Sequence, residues 1–340
     1  MNAPAAPRGL PRIGDLIDGK YRIDSLLGQG GMGAVFRASH VHTGRAVALK
    51  VIVPDFAADE SFLKRFEREA RAAGSLRHPN VVDVTDFGYA SSPGGRLAYL
   101  VMELLDGCSL ADVLRQQAGL PLSWSVDVLE QAGAGIEEAH RAGLLHRDLK
   151  PDNIWLEPNR QGGYTVKVLD FGLAKGAESA IVAPDGRAAG SPPLRSADLK
   201  LPEASDEDEA TRVRSAASAS SPPADLTEEA TTVRPAEGPV SPGSRLVDDG
   251  ATLAGSIVGT PAYMSPEQCR GLSLTPSSDV YSLAVIAYRM LAGRLPFEGR
   301  AEAQLRAHAS EAPPDLATLR PDLPQDASSL VMQALDKDPA

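Results

Sequence analysis

The sequence predicts an α+β chain in two lobes, a small one rich in strands with a single helix and a larger one that is mainly helical. Three observations carry this. Up to about Val101 the apolar residues alternate or run on over strand lengths. From Leu110 onward they recur mainly at helical spacing. With 340 residues, 43% of them hydrophobic and 23% charged, the chain can bury a core of ordinary globular size.

In order along the chain, Tyr21-Arg22-Ile23 and Ala34-Val35-Phe36 alternate, Ala46 to Val53 is a continuous strand and Leu97 to Met102 is another. Between them Ser61 to Leu76 is the one helix of the small lobe. Its apolar stripe is Phe62, Phe66, Ala70 and Ala73, and Asp59 or Ser61 can cap its start. In the second lobe Val126, Leu129, Ile136 and Ala139 mark a long amphipathic helix closed by Gly143. Short strands are expected around Ile154-Trp155-Leu156 and from Val166 to Leu169. Helix returns from Ser277 through Val280, Leu283, Ala284, Ala287, Leu291 and Leu305. These elements place the small lobe at 13–102 and the large one at 103–340, after an N-terminus, 1–12, expected to be disordered.

The stretch from Leu173 to Val258 differs from the rest. It has no aromatic residue, cysteine or histidine, nine prolines, sixteen Ser/Thr and the acidic run Asp206-Glu207-Asp208-Glu209. Such a composition buries too little apolar surface to offset its ordering entropy, so a disordered insertion over 176–250 is expected. It holds 14 Asp/Glu against 8 Lys/Arg, more than half of the chain's net charge of −11. That charge argues against a broad nucleic-acid or anionic-membrane surface. Glu209-Ala210-Thr211-Arg212-Val213-Arg214 recurs as Glu229-Ala230-Thr231-Thr232-Val233-Arg234, which reads either as plain low complexity or as a repeated recognition site.

Two cysteines, Cys108 and Cys269, with no CxxC pair, give neither a disulfide framework nor a zinc cage and point to a reducing, cytoplasmic setting. Met1 to Pro11 lacks the apolar core of a signal peptide, and no run approaches the ~18 apolar residues that cross a membrane. The last residues, Leu335 to Ala340, close no element, so a longer natural protein is expected, with an anchor or sensor beyond them a possibility.

Leu27-Gly28-Gln29-Gly30-Gly31-Met32-Gly33-Ala34-Val35 has the spacing G-x-G-x-x-G-x-V. Glycines there let a turn approach phosphates and offer backbone N–H donors without Cβ clash. The same spacing marks dinucleotide folds, but those open a helix and carry an acidic residue about 20 positions on. Here strand-like runs flank the glycines and Lys50 follows on the next strand. A lysine inside the apolar run Val47-Ala48-Leu49-Lys50 needs anionic partners. The phosphates of ATP and a helix carboxylate supply them, Glu69 being the first candidate and Glu67 the second.

His146-Arg147-Asp148-Leu149-Lys150-Pro151-Asp152-Asn153 is the most specific motif. Phosphoryl transfer needs a carboxylate to orient and deprotonate the attacking hydroxyl, which suits Asp148. Lys150 can neutralise the γ-phosphoryl, and Asn153 offers an amide oxygen to Mg²⁺, a hard ion that prefers oxygen. Asp170, in Asp170-Phe171-Gly172, is the second, charged ligand.

Together these motifs resemble the bacterial eukaryotic-like (Hanks-type) Ser/Thr protein kinases of the PknB class, over about Tyr21 to Leu173 and Val258 to Ala340. The resemblance implies the two-lobed protein kinase fold and transfer of the ATP γ-phosphoryl, with Mg²⁺, to Ser/Thr hydroxyls of protein substrates and of the kinase itself. It makes Met102 the gatekeeper, Glu103 and Leu105 the backbone contacts to adenine, and Val35, Ala48 and Trp155 the residues that sandwich the ring. An aromatic at Trp155 and a serine at Ser265 depart from the commoner residues. Asp279 corresponds to the aspartate that braces the catalytic loop. Lys150 with Thr260 resembles the Ser/Thr rather than the tyrosine kinases. Arg147 is placed to receive an activating phosphothreonine. The expectation is that Thr252, or failing it Ser256, switches the kinase on, while phosphorylated Thr211 and Thr231 recruit a phosphothreonine-binding partner. The rival reading, a silent nucleotide-binding scaffold, has against it the joint presence of Lys50, Glu69, Asp148, Asn153 and Asp170.

Overall fold

The computed structural model describes residues 10–30, 33–53, 60–92, 95–117, 119–171 and 260–338, all within one compact unit. The 1–12 N-terminus for the most part, the 176–250 insertion, Gly31, Thr211, Thr231, Thr252 and Ser256 lie outside the described residues.

The small lobe is a six-stranded sheet of order β1-β2-β3-β4-β6-β5, all neighbours antiparallel. Its strands are β1 (Leu16–Ile17), β2 (Tyr21–Gly30), β3 (Gly33–His40), β4 (Ala46–Ile52), β5 (Val84–Ser92) and β6 (Gly95–Glu103). The period of two along β4 is decisive. Val47, Leu49 and Val51 join the apolar layer on one face, with Ile23, Phe36 and Tyr99. Ala48 and Ile52 join the other, with Phe62, Phe66 and Ala70 of helix α1 (Glu60–Ser75). Lys50 falls between Ala48 and Ile52 in that alternation, on the α1 side. Helix α1 begins at Glu60, so Ser61 lies within its first turn and cannot be the N-cap; Asp59 lies outside the described residues.

Gly33 is fixed by the sheet itself: a Cβ there would sit 1.9 Å from the Val51 carbonyl oxygen. At Gly28 and Gly30 a Cβ would meet nothing within 4 Å.

The large lobe holds a second sheet, β7-β8-β9 (Cys108–Ser109, Ile154–Pro158, Tyr164–Val168). Its helices are α2 (Leu110–Gln116), α3 (Leu122–Arg141), α4 (Pro266–Arg270), α5 (Pro276–Ala292), α6 (Ala301–Ser310), α7 (Leu316–Leu319) and α8 (Gln325–Ala334). Helix α3 is where the sequence predicts it, with Gly143 left-handed (φ 75°) just past its end, but its phase differs. The buried stripe is Trp124, Val128, Ala132, Ile136 and Ala139, while Val126 is exposed and Leu129 only half-buried. Spacing at i and i+4 around Trp124 outweighs one β-branched residue on the wet face. Val280 of α5 is likewise exposed.

Backbone hydrogen bonds join the lobes behind the cleft. Val82 N–H donates to Val168 O (3.1 Å), Val168 N–H to Asn80 O (2.8 Å) and Asn80 Nδ2 to Val166 O (2.8 Å). Strand β9, and with it Asp170, is thereby tied to the segment between α1 and β5.

Candidate active site

The catalytic loop hangs from one buried carboxylate. Asp279 Oδ2 accepts from His140 Nε2 and from the His146 amide, both at 2.8 Å, and its Oδ1 accepts from the Arg147 amide at 2.9 Å. Burial alone would push the Asp279 carboxyl up. The hydrogen bonds from His140, His146 and Arg147 outweigh it and hold the group below the usual carboxylate range. Arg147 can adopt its left-handed φ of 64° because these bonds over-determine the turn.

His146 is buried against Phe171, ring centroids 5.0 Å apart. Burial pushes its pKa below the usual histidine value, so the ring is neutral. Nε2–H donates to the Leu169 carbonyl (2.7 Å) and Nδ1 accepts the Asp148 amide (3.2 Å). One imidazole therefore joins the backbone of the catalytic loop to the strand end that carries Asp170.

The predicted reactive groups converge. Lys150 Nζ is 3.0 Å from Asp148 Oδ2, and Asn153 Nδ2 donates to the Asp148 carbonyl at 2.8 Å. Committing the amide nitrogen in this way leaves Asn153 Oδ1 without a hydrogen bond among the described residues. Lys50 Nζ meets Asp170 Oδ1 at 2.8 Å, with Asp170 at a left-handed φ of 58°. Two oxygen donors, one charged, suit a hard cation that keeps several waters and takes phosphate oxygens. Among the described residues no group of three or more His, Cys, Asp or Glu side chains is arranged to hold a metal.

The expected helix partner of Lys50 is engaged elsewhere in this structure. Glu69 is buried midway along α1, but its Oε1 pairs with Arg147 NH1 at 3.2 Å while Lys50 turns to Asp170. Two cations compete for one carboxylate, and the nearer acid satisfies the lysine. Burial raises the Glu69 pKa, with Arg147, Arg68 and Arg65 opposing. The alternative, Glu67, accepts from the Tyr89 hydroxyl (3.0 Å) on a different side of the helix.

Leu27, Val35 and Leu105 pack against the layer that contains Ala48 and Met102, so these five of the expected adenine-site residues are assembled. Trp155 is not in that layer: its indole N–H donates to the Asp106 carbonyl (2.7 Å), which lays the ring along the inter-lobe connection. Glu103 N–H donates to Asp83 O (3.0 Å), and its carboxylate takes the Asp83 amide (2.8 Å) and Lys167 (2.7 Å). Among the described residues Leu105 makes no backbone hydrogen bond.

Thr260 shares a small cavity with Arg147, Asp148, Tyr263 and Gln268. Ser265 is explained here. It caps α4 in a reciprocal pair, Gln268 N–H to Ser265 Oγ (3.3 Å) and Ser265 N–H to Gln268 Oε1 (2.9 Å), and Gln268 Nε2 continues to the Arg147 carbonyl at 2.7 Å. The Ser-x-x-Gln spacing is a capping-box signal that could have exposed Gln268. No sequence signal points to His140.

A strand-rich lobe with one helix, a helical lobe and a charged cleft between them make the architecture of a two-lobed kinase. The sequence model of the protein kinase domain family matches residues 21–185 and 243–340, and the chain belongs to that family, on its bacterial Ser/Thr side. It is 34% identical over 332 residues to the serine/threonine-protein kinase PknA of Mycobacterium tuberculosis, covering 97% of this chain and 59% of that protein. To the serine/threonine-protein kinase pkn3 of Myxococcus xanthus it is 34% identical over 331 residues, covering 96% and 48%. The chain thus spans about half to three-fifths of the length of these relatives. The crystal structure of the Mycobacterium tuberculosis PknI kinase domain superposes with a TM-score of 0.60 at 23% identity, covering 97% of this chain and 92% of that one, which shows the shared fold. The family uses ATP with a divalent metal ion. Among the described residues no helix is long and apolar enough to cross a membrane.

Proposed function

We propose that the chain is a Ser/Thr protein kinase, transferring the γ-phosphoryl group of ATP to Ser and Thr hydroxyls of protein substrates and of itself in the cytoplasm. The observation that carries this is the convergence of Asp148, Lys150 and Asn153 on one loop with the Lys50–Asp170 pair facing them. Asp148 orients the substrate hydroxyl and accepts its proton. Lys150, already 3.0 Å from that carboxylate, stands where charge spreads over the transferred group. Lys50 holds the α/β-phosphates and Gly28, Gly30 and Gly31 cover them, while Glu69 steadies Lys50 once Arg147 releases it. Leu27, Val35, Ala48, Met102 and the backbone of Glu103 and Leu105 seat the adenine, with Trp155 at its rim. Asn153 Oδ1 and Asp170 would hold Mg²⁺, which supplies charge neutralisation across the phosphate oxygens.

The kinase domain in this reading runs from 13 to 340, divided at 102/103, with 176–250 as an insertion. Support for the insertion is that the family match passes over 186–242. Arg147 and Thr260 belong to its regulation, Thr252 is the self-activating site, and phosphorylated Thr211 and Thr231 bind a phosphothreonine-reading partner. Incubation of the purified chain with labelled ATP, followed by phosphosite mapping, tests the whole reading. Label on threonines or serines is expected, and absence of label on the chain and on a generic protein substrate overturns it.

A further inference from the structure

Helix α1 turns Glu69 inward and a different chemistry outward. Lys64, Arg68 and Arg71 lie on the face opposite Phe62, Phe66 and Ala73, all three exposed and spread over about 10 Å of helix axis. None of them makes an ion pair within 4 Å among the described residues. Of the acids on the helix, Glu67 accepts from the Tyr89 hydroxyl (3.0 Å), Glu69 pairs with Arg147 (3.2 Å), and Glu60, one turn before Lys64, is exposed and makes no ion pair within 4 Å among the described residues. The patch extends off the helix. Arg96 of β6 is exposed and stacks 3.9 Å over the Tyr89 ring, and the charges of Arg96 and Arg71 both act on the Tyr89 hydroxyl. Cations three and four residues apart repel one another on a helix, and here they stand unpaired in a chain of net charge −11.

We infer that this face, Lys64, Arg68 and Arg71 with Arg96, docks an acidic peptide segment of a protein partner. A long polyanion such as duplex nucleic acid meets the repulsion of the whole negative chain. A short run of carboxylates within a Debye length of about 8 Å senses mainly the local cations. Three or four acidic side chains match the length of the stripe. Arginine adds a planar fork for bidentate carboxylate contacts. Because Glu69 sits on the inner side of the same helix, a segment that clamps α1 also biases the Glu69–Arg147 pairing; only this coupling rests on the proposed kinase activity.

The test is fluorescence anisotropy of the full chain with a labelled peptide bearing five consecutive Asp/Glu residues, against a Gln/Asn peptide of equal length. The acidic peptide is expected to bind at least ~10-fold tighter to the wild type than to the Lys64→Ala/Arg68→Ala/Arg71→Ala variant, and several-fold tighter at 50 mM than at 200 mM NaCl. Arg68→Lys/Arg71→Lys, which keeps the charge, should retain most of the binding. The Asp148→Asn chain should bind like the wild type, which separates this site from the catalytic reading. Equal binding by wild type and triple variant, or by acidic and neutral peptides, overturns the proposal. Tighter binding of a short DNA duplex than of the peptide overturns the assignment of its partner.

Discussion

Glu69 and Arg147 face each other across the two lobes, carboxylate oxygen to guanidinium nitrogen at 3.2 Å, and in doing so leave Lys50 to Asp170. The ion pair links the helix of the small lobe to the loop that carries Asp148. A double-mutant cycle measures it. Glu69→Gln and Arg147→Met should be non-additive in unfolding free energy by roughly 1 kcal/mol, since Arg147 is partly exposed and water screens the pair. Glu69→Gln combined with Lys50→Met should be additive. The reverse pattern would mean that Glu69 belongs to Lys50 in the resting protein.

Asp148→Asn and Asp170→Asn should each lower phosphoryl transfer by ~10²-fold or more. They should differ in binding: Asp170→Asn weakens Mg²⁺-dependent nucleotide affinity, and Asp148→Asn leaves it nearly unchanged. Autophosphorylation of either variant at the wild-type rate would remove that residue from the mechanism.

The three spaced glycines of the loop divide by cause. Gly33→Ala should destabilise the small lobe by about 2 kcal/mol or more, because its Cβ runs into the Val51 carbonyl. Gly28→Ala should leave the melting temperature within a degree or two and weaken ATP binding. Equal melting temperatures for the two variants would show that the β3–β4 approach at Gly33 is not tight.

Stability should begin to fall on acidification at a pH above the range of ordinary carboxylate effects. His308 is buried between Tyr281 Oη and the Ala262 carbonyl, both at 3.0 Å. Burial, with the nearby Lys337, lowers its pKa to about 4. A histidine whose folded pKa is depressed binds its proton more readily when unfolded, so stability is lost from about pH 6.5 down to about 4, by roughly 3 kcal/mol in all. Buried His146 shifts in the same direction. Denaturant titrations from pH 7 to 4 should show His308→Gln with a shallower slope than the wild type. Parallel curves would exclude His308 as a source.

Much of this was readable in the residues, for identifiable reasons. Strand β4 and the stripe of α1 declare themselves because apolar side chains repeat at the period of the backbone. Asp148, Lys150, Asn153 and Asp170 are legible because their chemistry tolerates few substitutes at fixed spacing. What escaped is relational. The choice of Lys50 between Glu69 and Asp170 depends on which acid lies nearer across a cleft, which no spacing encodes. Val126 misled because its propensity and its neighbours' fit the helix, whereas Trp124 decides which way the helix faces. The bond from Gln268 to Arg147 spans 121 positions, and only its local half, the cap with Ser265, leaves a trace in sequence.

The carboxylate of Asp279 makes the catalytic loop part of helix α5 in a kinetic sense. The amides of His146 and Arg147 end on oxygens that belong to that helix's first turn, and Tyr281, Ile286 and Tyr288 further along it are buried. A loop held in this way has no opening motion of its own. In hydrogen exchange these two amides should be released together with the core of α5, far later than their place in an irregular segment would suggest. The carboxylate of Asp148, the proposed base, would therefore be carried on a loop that opens no faster than the core of α5.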